Sequence, residues 1–134
     1  MKRLVATITA LGALALCAAA LAGSPLSGTF NTTIASGKVA GAWSLTFSSP
    51  SYTVTYKGSK VAVGAYTTSG GKVTFTDKSG KLACPGKGVY SYTLSGRTLK
   101  FKLVSDKSAA CAGRRAVLAG TFTKKFGQGS GGGY

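Results

Sequence analysis

The chain is 134 residues long with a formal net charge of +15, from seventeen Lys and Arg against two acidic residues and no His. That length fits one domain once a leader is set aside. Both acids are aspartates, Asp77 and Asp106. The groups that general acid–base catalysis, metals and cofactors ordinarily use are therefore scarce, which argues for a non-catalytic protein.

A basic start (Met1, Lys2, Arg3) leads into an apolar stretch over residues 4–16 and then small residues ending at Ala20-Leu21-Ala22. This is the layout of a secretory signal peptide, with cleavage expected after Ala22. Thr7 and Thr9 weigh against an uncleaved anchor, and Leu14-Ala15-Leu16 is a poor lead-in for lipidation at Cys17. The mature protein is expected to be secreted or held in a periplasm or cell envelope, and the Ala/Leu-dense leader has a bacterial character.

Beyond the leader, bulky residues recur with period two, the mark of half-buried strands, and eight segments are predicted. The first spans 28–34, with Phe30, Thr32 and Ile34 on one face. The second, 40–48, aligns Trp43, Leu45 and Phe47, and the third, 51–57, aligns Tyr52, Val54 and Tyr56. In the fourth, 60–68, Val61 and Val63 share a parity that Tyr66 does not, and Gly64 marks a bulge that switches faces. The fifth, 72–77, turns Val73 and Phe75 inward. The sixth, 88–95, offers Tyr90, Tyr92 and Leu94; the seventh, 98–105, offers Leu99, Phe101 and Leu103. The eighth, 115–124, offers Ala116, Leu118, Gly120 and Phe122. No stretch places apolar residues at helical spacing. Residues 126–134, Gly-rich from Gln128 on, read as a flexible tail.

Short Gly-, Ser- and Pro-containing links favour antiparallel pairing of neighbours. The predicted fold is all-β: an eight-stranded antiparallel up-and-down barrel over residues 23–125, with a two-sheet β-sandwich as the alternative. In such a meander the two long loops, 78–87 and 106–114, share one end. Each carries one of the two mature cysteines, so topology and the even cysteine count of an exported chain both predict a Cys84–Cys111 disulfide. The closed loop of about 28 residues is worth on the order of 3 kcal/mol in the chain-entropy picture.

The tight-turn end collects Phe30, Phe47, Tyr52, Val73, Leu94, Leu99 and Phe122, an apolar floor. Toward the long loops stand Trp43, Tyr56, Val61, Tyr90 and Leu103, with Tyr92 near mid-height. Aromatics with polar tips beneath long loops suggest a ligand site built from Trp43, Tyr56, Tyr90 and Tyr92. The competing reading is a barrel filled by its own side chains.

Gly41-Ala42-Trp43 is the Gly-x-Trp seen in lipocalins and other calycins, and with the eight-strand meander the chain resembles a small bacterial exported lipocalin-like domain. The resemblance implies a barrel able to hold a small hydrophobic molecule. It also implies a basic residue from the last strand lying across the tryptophan, here Arg114 or Arg115. The motif sits on the second strand instead of the first, so the family's ligand residues are not carried over.

The second partner class comes from charge. Lysines in turns (Lys57, Lys60, Lys78, Lys81, Lys87) and on outward strand positions (Lys100, Lys102) suit an anionic polymer of the cell envelope. The aromatics point inward and form no stacking platform, so specific nucleic-acid binding is not expected. The chain is read as a monomer.

Overall fold

The computed structural model describes residues 26–126. The expected leader, its cleavage site, Cys17 and all of the tail beyond Phe126 lie outside the described residues. Eight strands run in order: β1 (Gly28–Ile34), β2 (Gly41–Ser48), β3 (Ser51–Tyr56), β4 (Ser59–Ser69), β5 (Lys72–Ser79), β6 (Lys87–Ser95), β7 (Thr98–Ser105) and β8 (Thr121–Lys124). Each pairs antiparallel with the next, and β8 returns to β1, so the sheet closes into a barrel. The barrel stands, and the sandwich alternative falls.

Period-two burial carries the closure. In β2, Trp43, Leu45 and Phe47 are buried while Ser44 and Thr46 are only partly covered. The inward rings interlock around Phe75, whose centroid lies 5.0 Å from Tyr52, 5.9 Å from Phe101 and 6.0 Å from Tyr90, all edge-on. Edge-to-face contacts of this kind set positive ring edges against negative faces and add to the burial of each ring. Leu26, just ahead of β1, joins this core and accepts a 2.8 Å hydrogen bond at its carbonyl from the Tyr66 hydroxyl.

The bulge expected in β4 at Gly64 is corrected: the β4–β5 register does shift between Val63 and Gly64, but the extra residue there is Lys78 of β5. The change of faces comes earlier than expected: Ala62, Gly64 and Tyr66 share one buried parity, and the switch from Val61 falls at the β3–β4 register shift that leaves Val61 without a partner. A side chain at Gly64 has no room. Its Cβ would sit 2.2 Å from the Thr76 carbonyl oxygen and 2.8 Å from the Tyr52 hydroxyl.

Two further expectations are corrected. The first concerns the eighth segment. Residues Ala109–Cys111 form a 3₁₀ turn and Ala112–Leu118 form a short helix, α1, leaving β8 only four residues. Ala, Arg and Leu are among the best helix formers, and the buried side of this segment, Cys111, Arg114, Val117 and Leu118, follows helical spacing. Arg114 and Arg115 accordingly lie on a helix and not at the start of a strand. The second concerns Leu103, which is 52% exposed. It shares the parity of its partner Tyr90, but β8 pairs with β7 only from Thr98 to Lys100 and leaves the upper part of β7 without a strand beside it.

Replacing Gly64 by Ala forces the Thr76 backbone and the Tyr52 hydroxyl apart, and overpacking of this kind costs about 1–3 kcal/mol. Urea unfolding of the Gly64→Ala variant should show a lowered midpoint of that size; an unchanged midpoint would mean that the bulge relaxes freely.

Candidate functional site

Loops β1–β2, β3–β4, β5–β6 and β7–β8 all lie at one end of the barrel. Beneath them is a cavity of about 350 Å³. Val54, Val61 and Leu45 of the sheet form one wall and Val117 and Leu118 of α1 the other, with Phe75 and Phe122 toward the closed end. The helix thus replaces the upper half of the missing strand, and Thr32 Oγ1 donates to the Thr121 carbonyl at 2.7 Å where β8 begins.

Trp43 and Tyr56 form the lip. They face each other across the β2–β3 register, with ring centroids 4.3 Å apart and a 34° tilt. Trp43 Nε1 donates to the Val39 carbonyl at 2.8 Å, and the Tyr56 hydroxyl donates to the Ala40 carbonyl at 2.5 Å. Both acceptors belong to the β1–β2 loop. The aromatic pair therefore holds that loop over the opening while spending its polar tips on the backbone, as buried Trp and Tyr require.

The four aromatics expected to converge divide into two pairs. Trp43 and Tyr56 line the cavity. Tyr90 is 2% exposed and packs among Phe75 and Phe101, outside the cavity lining. Tyr92 is half-buried against the core, and burial first and the neighbouring Tyr66 second push its hydroxyl pKa up. Neither residue lines the cavity.

Cys84 and Cys111 pair as expected, with Cα atoms 5.3 Å apart, tying the β5–β6 loop to the start of α1.

The basic residue expected over the tryptophan does something else. Arg114 sits inside the protein, its side chain 9% exposed, and grips Asp106 with a fork: Nε to Oδ2 and Nη2 to Oδ1, both at 2.8 Å. Its Nη1 stands 3.7 Å from Asp77 Oδ2 and has no hydrogen bond. Arg115 Nη1 donates to the Asp106 and Ser108 carbonyls, each at 2.8 Å, which clamps the loop after β7. The tryptophan's ring partner is Tyr56.

Each aspartate also holds a tyrosine. The Tyr90 hydroxyl donates to Asp106 Oδ2, the Tyr52 hydroxyl donates to Asp77 Oδ1, and the Cys84 N–H donates to Asp77 Oδ2 at 2.9 Å. Burial is the largest influence on both tyrosines and raises their pKa, and the carboxylate partners raise it further, so both remain protonated donors well into the alkaline range. For Asp106, burial alone would raise the pKa. The hydrogen bonds from Arg114 and Tyr90 and the charges of Arg114 and Arg115 outweigh it and hold the carboxyl below its ordinary range. Gly88 leaves the space this needs, since a Cβ there would lie 2.6 Å from Asp106 Oδ2 and 2.9 Å from Arg114 Nε.

The sequence reading missed this cluster. Its one available signal was numerical: the only two acids of the chain stand in or beside the loops that also carry the cysteines.

Comparison of the chain with family models, curated proteins and solved structures finds no match. The class it belongs to is defined by its geometry alone: a closed eight-stranded antiparallel barrel, packed at one end and hollow at the other, with a short helix as part of the cavity wall.

A buried carboxylate with a lowered pKa stabilises the fold above the ordinary carboxylate range, and that contribution is lost as pH falls through the lowered folded-state value. Asp106→Asn leaves Arg114 buried with half its fork unmatched, a change that costs about 3–5 kcal/mol at neutral pH. Urea titrations from pH 7 to pH 2 should show that loss at pH 7, and the gap between wild type and variant should narrow toward pH 2. Parallel curves with no gap would dismiss the cluster as a stabilising element.

Proposed function

We propose that the protein is an exported lipocalin-like binding module that holds one small, mainly apolar molecule in the open end of its barrel and performs no chemistry on it. The observation that carries this reading is the 350 Å³ cavity and its walls. Native interiors seldom leave voids larger than a water molecule, because a void forfeits dispersion contacts on every side. A space of this size lies within the range of small-molecule sites and is roughly twice a cavity that admits benzene. It suits a molecule of one or two rings or a chain of comparable bulk.

The walls favour apolar cargo. Aliphatic side chains and aromatic faces dominate them, while Trp43, Tyr56 and Tyr52 direct their donors to partners within the protein. Arg114, also on the lining, offers one buried donor without a hydrogen bond, Nη1, so a guest could anchor one acceptor there, but one polar throughout would lose more hydration than that contact returns. The secretory leader read from the sequence supports action outside the cytoplasm.

The naphthylamine dye N-phenyl-1-naphthylamine, which brightens on leaving water, tests this directly with the purified, oxidised protein. Saturable brightening with one site per chain is expected. Val54→Phe and Val61→Phe, which fill the cavity from the sheet side, should abolish it while thermal unfolding stays near that of the wild type. Absence of any saturable uptake, or uptake that survives both substitutions, would refute the reading.

A further inference from the structure

The two aspartates are the only acids of the chain, and both are buried against Arg114, with side chains 6% and 1% exposed. Every charged side chain on the surface of the described residues is therefore a cation. These cations cover the wall and both ends, with Arg97 and Lys125 at the closed end, and the rim has a full share. Each of the four loops around the cavity mouth carries an exposed lysine: Lys38 on β1–β2, Lys57 on β3–β4, Lys81 on β5–β6 and Lys107 on β7–β8.

The same end carries the exposed apolar side chains of the barrel's upper part. Leu82, beside Lys81 and on the cavity lining, is 50% exposed, and Leu103 and Val104 near the top of β7 are 52% and 49% exposed. Monomeric proteins scatter single apolar residues over their surface without consequence. Here they stand among cations that no described carboxylate neutralises, around the opening through which cargo would pass.

We propose that the open rim docks on an anionic lipid surface and that the bound molecule is exchanged there. Lysines near such a surface gain from its negative potential, and exposed apolar side chains gain by entering the boundary between headgroups and acyl chains. A soluble polyanion would satisfy the lysines and offer nothing to Leu82, Leu103 or Val104, so the combination favours lipid. This deepens the binding-module reading and rests on it, because a molecule suited to the cavity partitions into bilayers and would be collected or delivered at the mouth.

The test is co-sedimentation of the full mature protein with vesicles of phosphatidylcholine alone and of phosphatidylcholine with phosphatidylglycerol, at low and high salt. Two variants of equal charge are compared: Lys38, Lys57, Lys81 and Lys107 all to Gln at the rim, and Lys72, Lys100, Lys124 and Lys125 all to Gln on the wall and closed end. A third variant, Leu103→Ser with Val104→Ser, removes apolar rim side chains that do not line the cavity. Thermal melts confirm that each is folded, and dye uptake in solution is measured for all three.

Binding should require phosphatidylglycerol and weaken with salt. It should fall roughly a hundredfold in the rim variant, with the wall variant close to wild type. The serine variant should bind more weakly to vesicles but no differently to dextran sulfate. Equal losses in the rim and wall variants, no preference for phosphatidylglycerol vesicles, or a serine variant indistinguishable from wild type would each overturn the proposal. Dye uptake separates the two readings: vesicle binding lost with uptake retained places the failure at the rim, whereas uptake absent in the wild type removes the cavity reading beneath it.

Discussion

The open half of this barrel depends on one buried guanidinium. Arg114 reaches from α1 into the space between β5 and β6 and meets the chain's entire supply of negative charge, Asp106 through a fork and Asp77 at longer range. An ion taken out of water loses several kcal/mol of hydration, which is recovered only with close, well-aligned partners. The cluster meets that condition through neighbours: Tyr90 and Tyr52 donate to the carboxylates, Arg115 binds the Asp106 backbone, and Gly88 leaves room for the contact. Its members come from β3, β5, β6, the loop after β7 and α1, so the elements around the cavity are referenced to one point. The Cys84–Cys111 pair fastens the same loops covalently, and the Cys84 N–H on Asp77 joins the two devices.

The barrel itself was legible because its signal is redundant. Seven strands repeat the same alternation, and most of the turns between them are short, so errors at one boundary do not propagate to the next. The cysteine pairing was legible for a related reason: a meander has only two ends, and both cysteines fell in loops at the same one. A face switch in β4 could be read because the parity of Val61 and Tyr66 disagreed, and a bulge is the simplest way to reconcile them; its position could not, and it falls at Val61 instead of Gly64.

The helix was hidden by its own chemistry. A search for apolar periodicity counts Val117 and Leu118 but passes over Arg114 and Cys111, which complete the buried stripe. The charged member is buried only because acids distant in sequence neutralise it, and no local pattern contains that information. The placement of Arg114 or Arg115 over Trp43 came from the calycin resemblance, which assumes a last strand at that point, whereas Arg114 lies on a helix at the centre of an interior ion cluster. Half of the expected site was misplaced for a different reason. Parity tells which side chains point inward, but not how far along the axis the interior remains packed, and Tyr90 and Tyr92 fall within the packed part.

The division of the interior follows from β8. Where its four residues complete the seam, the rings of Phe101 and Phe122 pack edge-on with centroids 5.7 Å apart, and Phe30 joins the same core behind a fully closed sheet. Above that level the seam has no strand, and a helix spans it instead. A helix is about twice as thick as the spacing between strands and packs against a sheet through side chains, not through backbone hydrogen bonds. It therefore stands off from the opposite wall, and Val117 and Leu118 do not reach across to Val54 and Val61; the intervening volume is the cavity. The cluster that holds the helix in place thus keeps the cavity open, and by drawing both acids inside it leaves only cations outside. Hollow interior and cationic rim are two consequences of the same buried arginine.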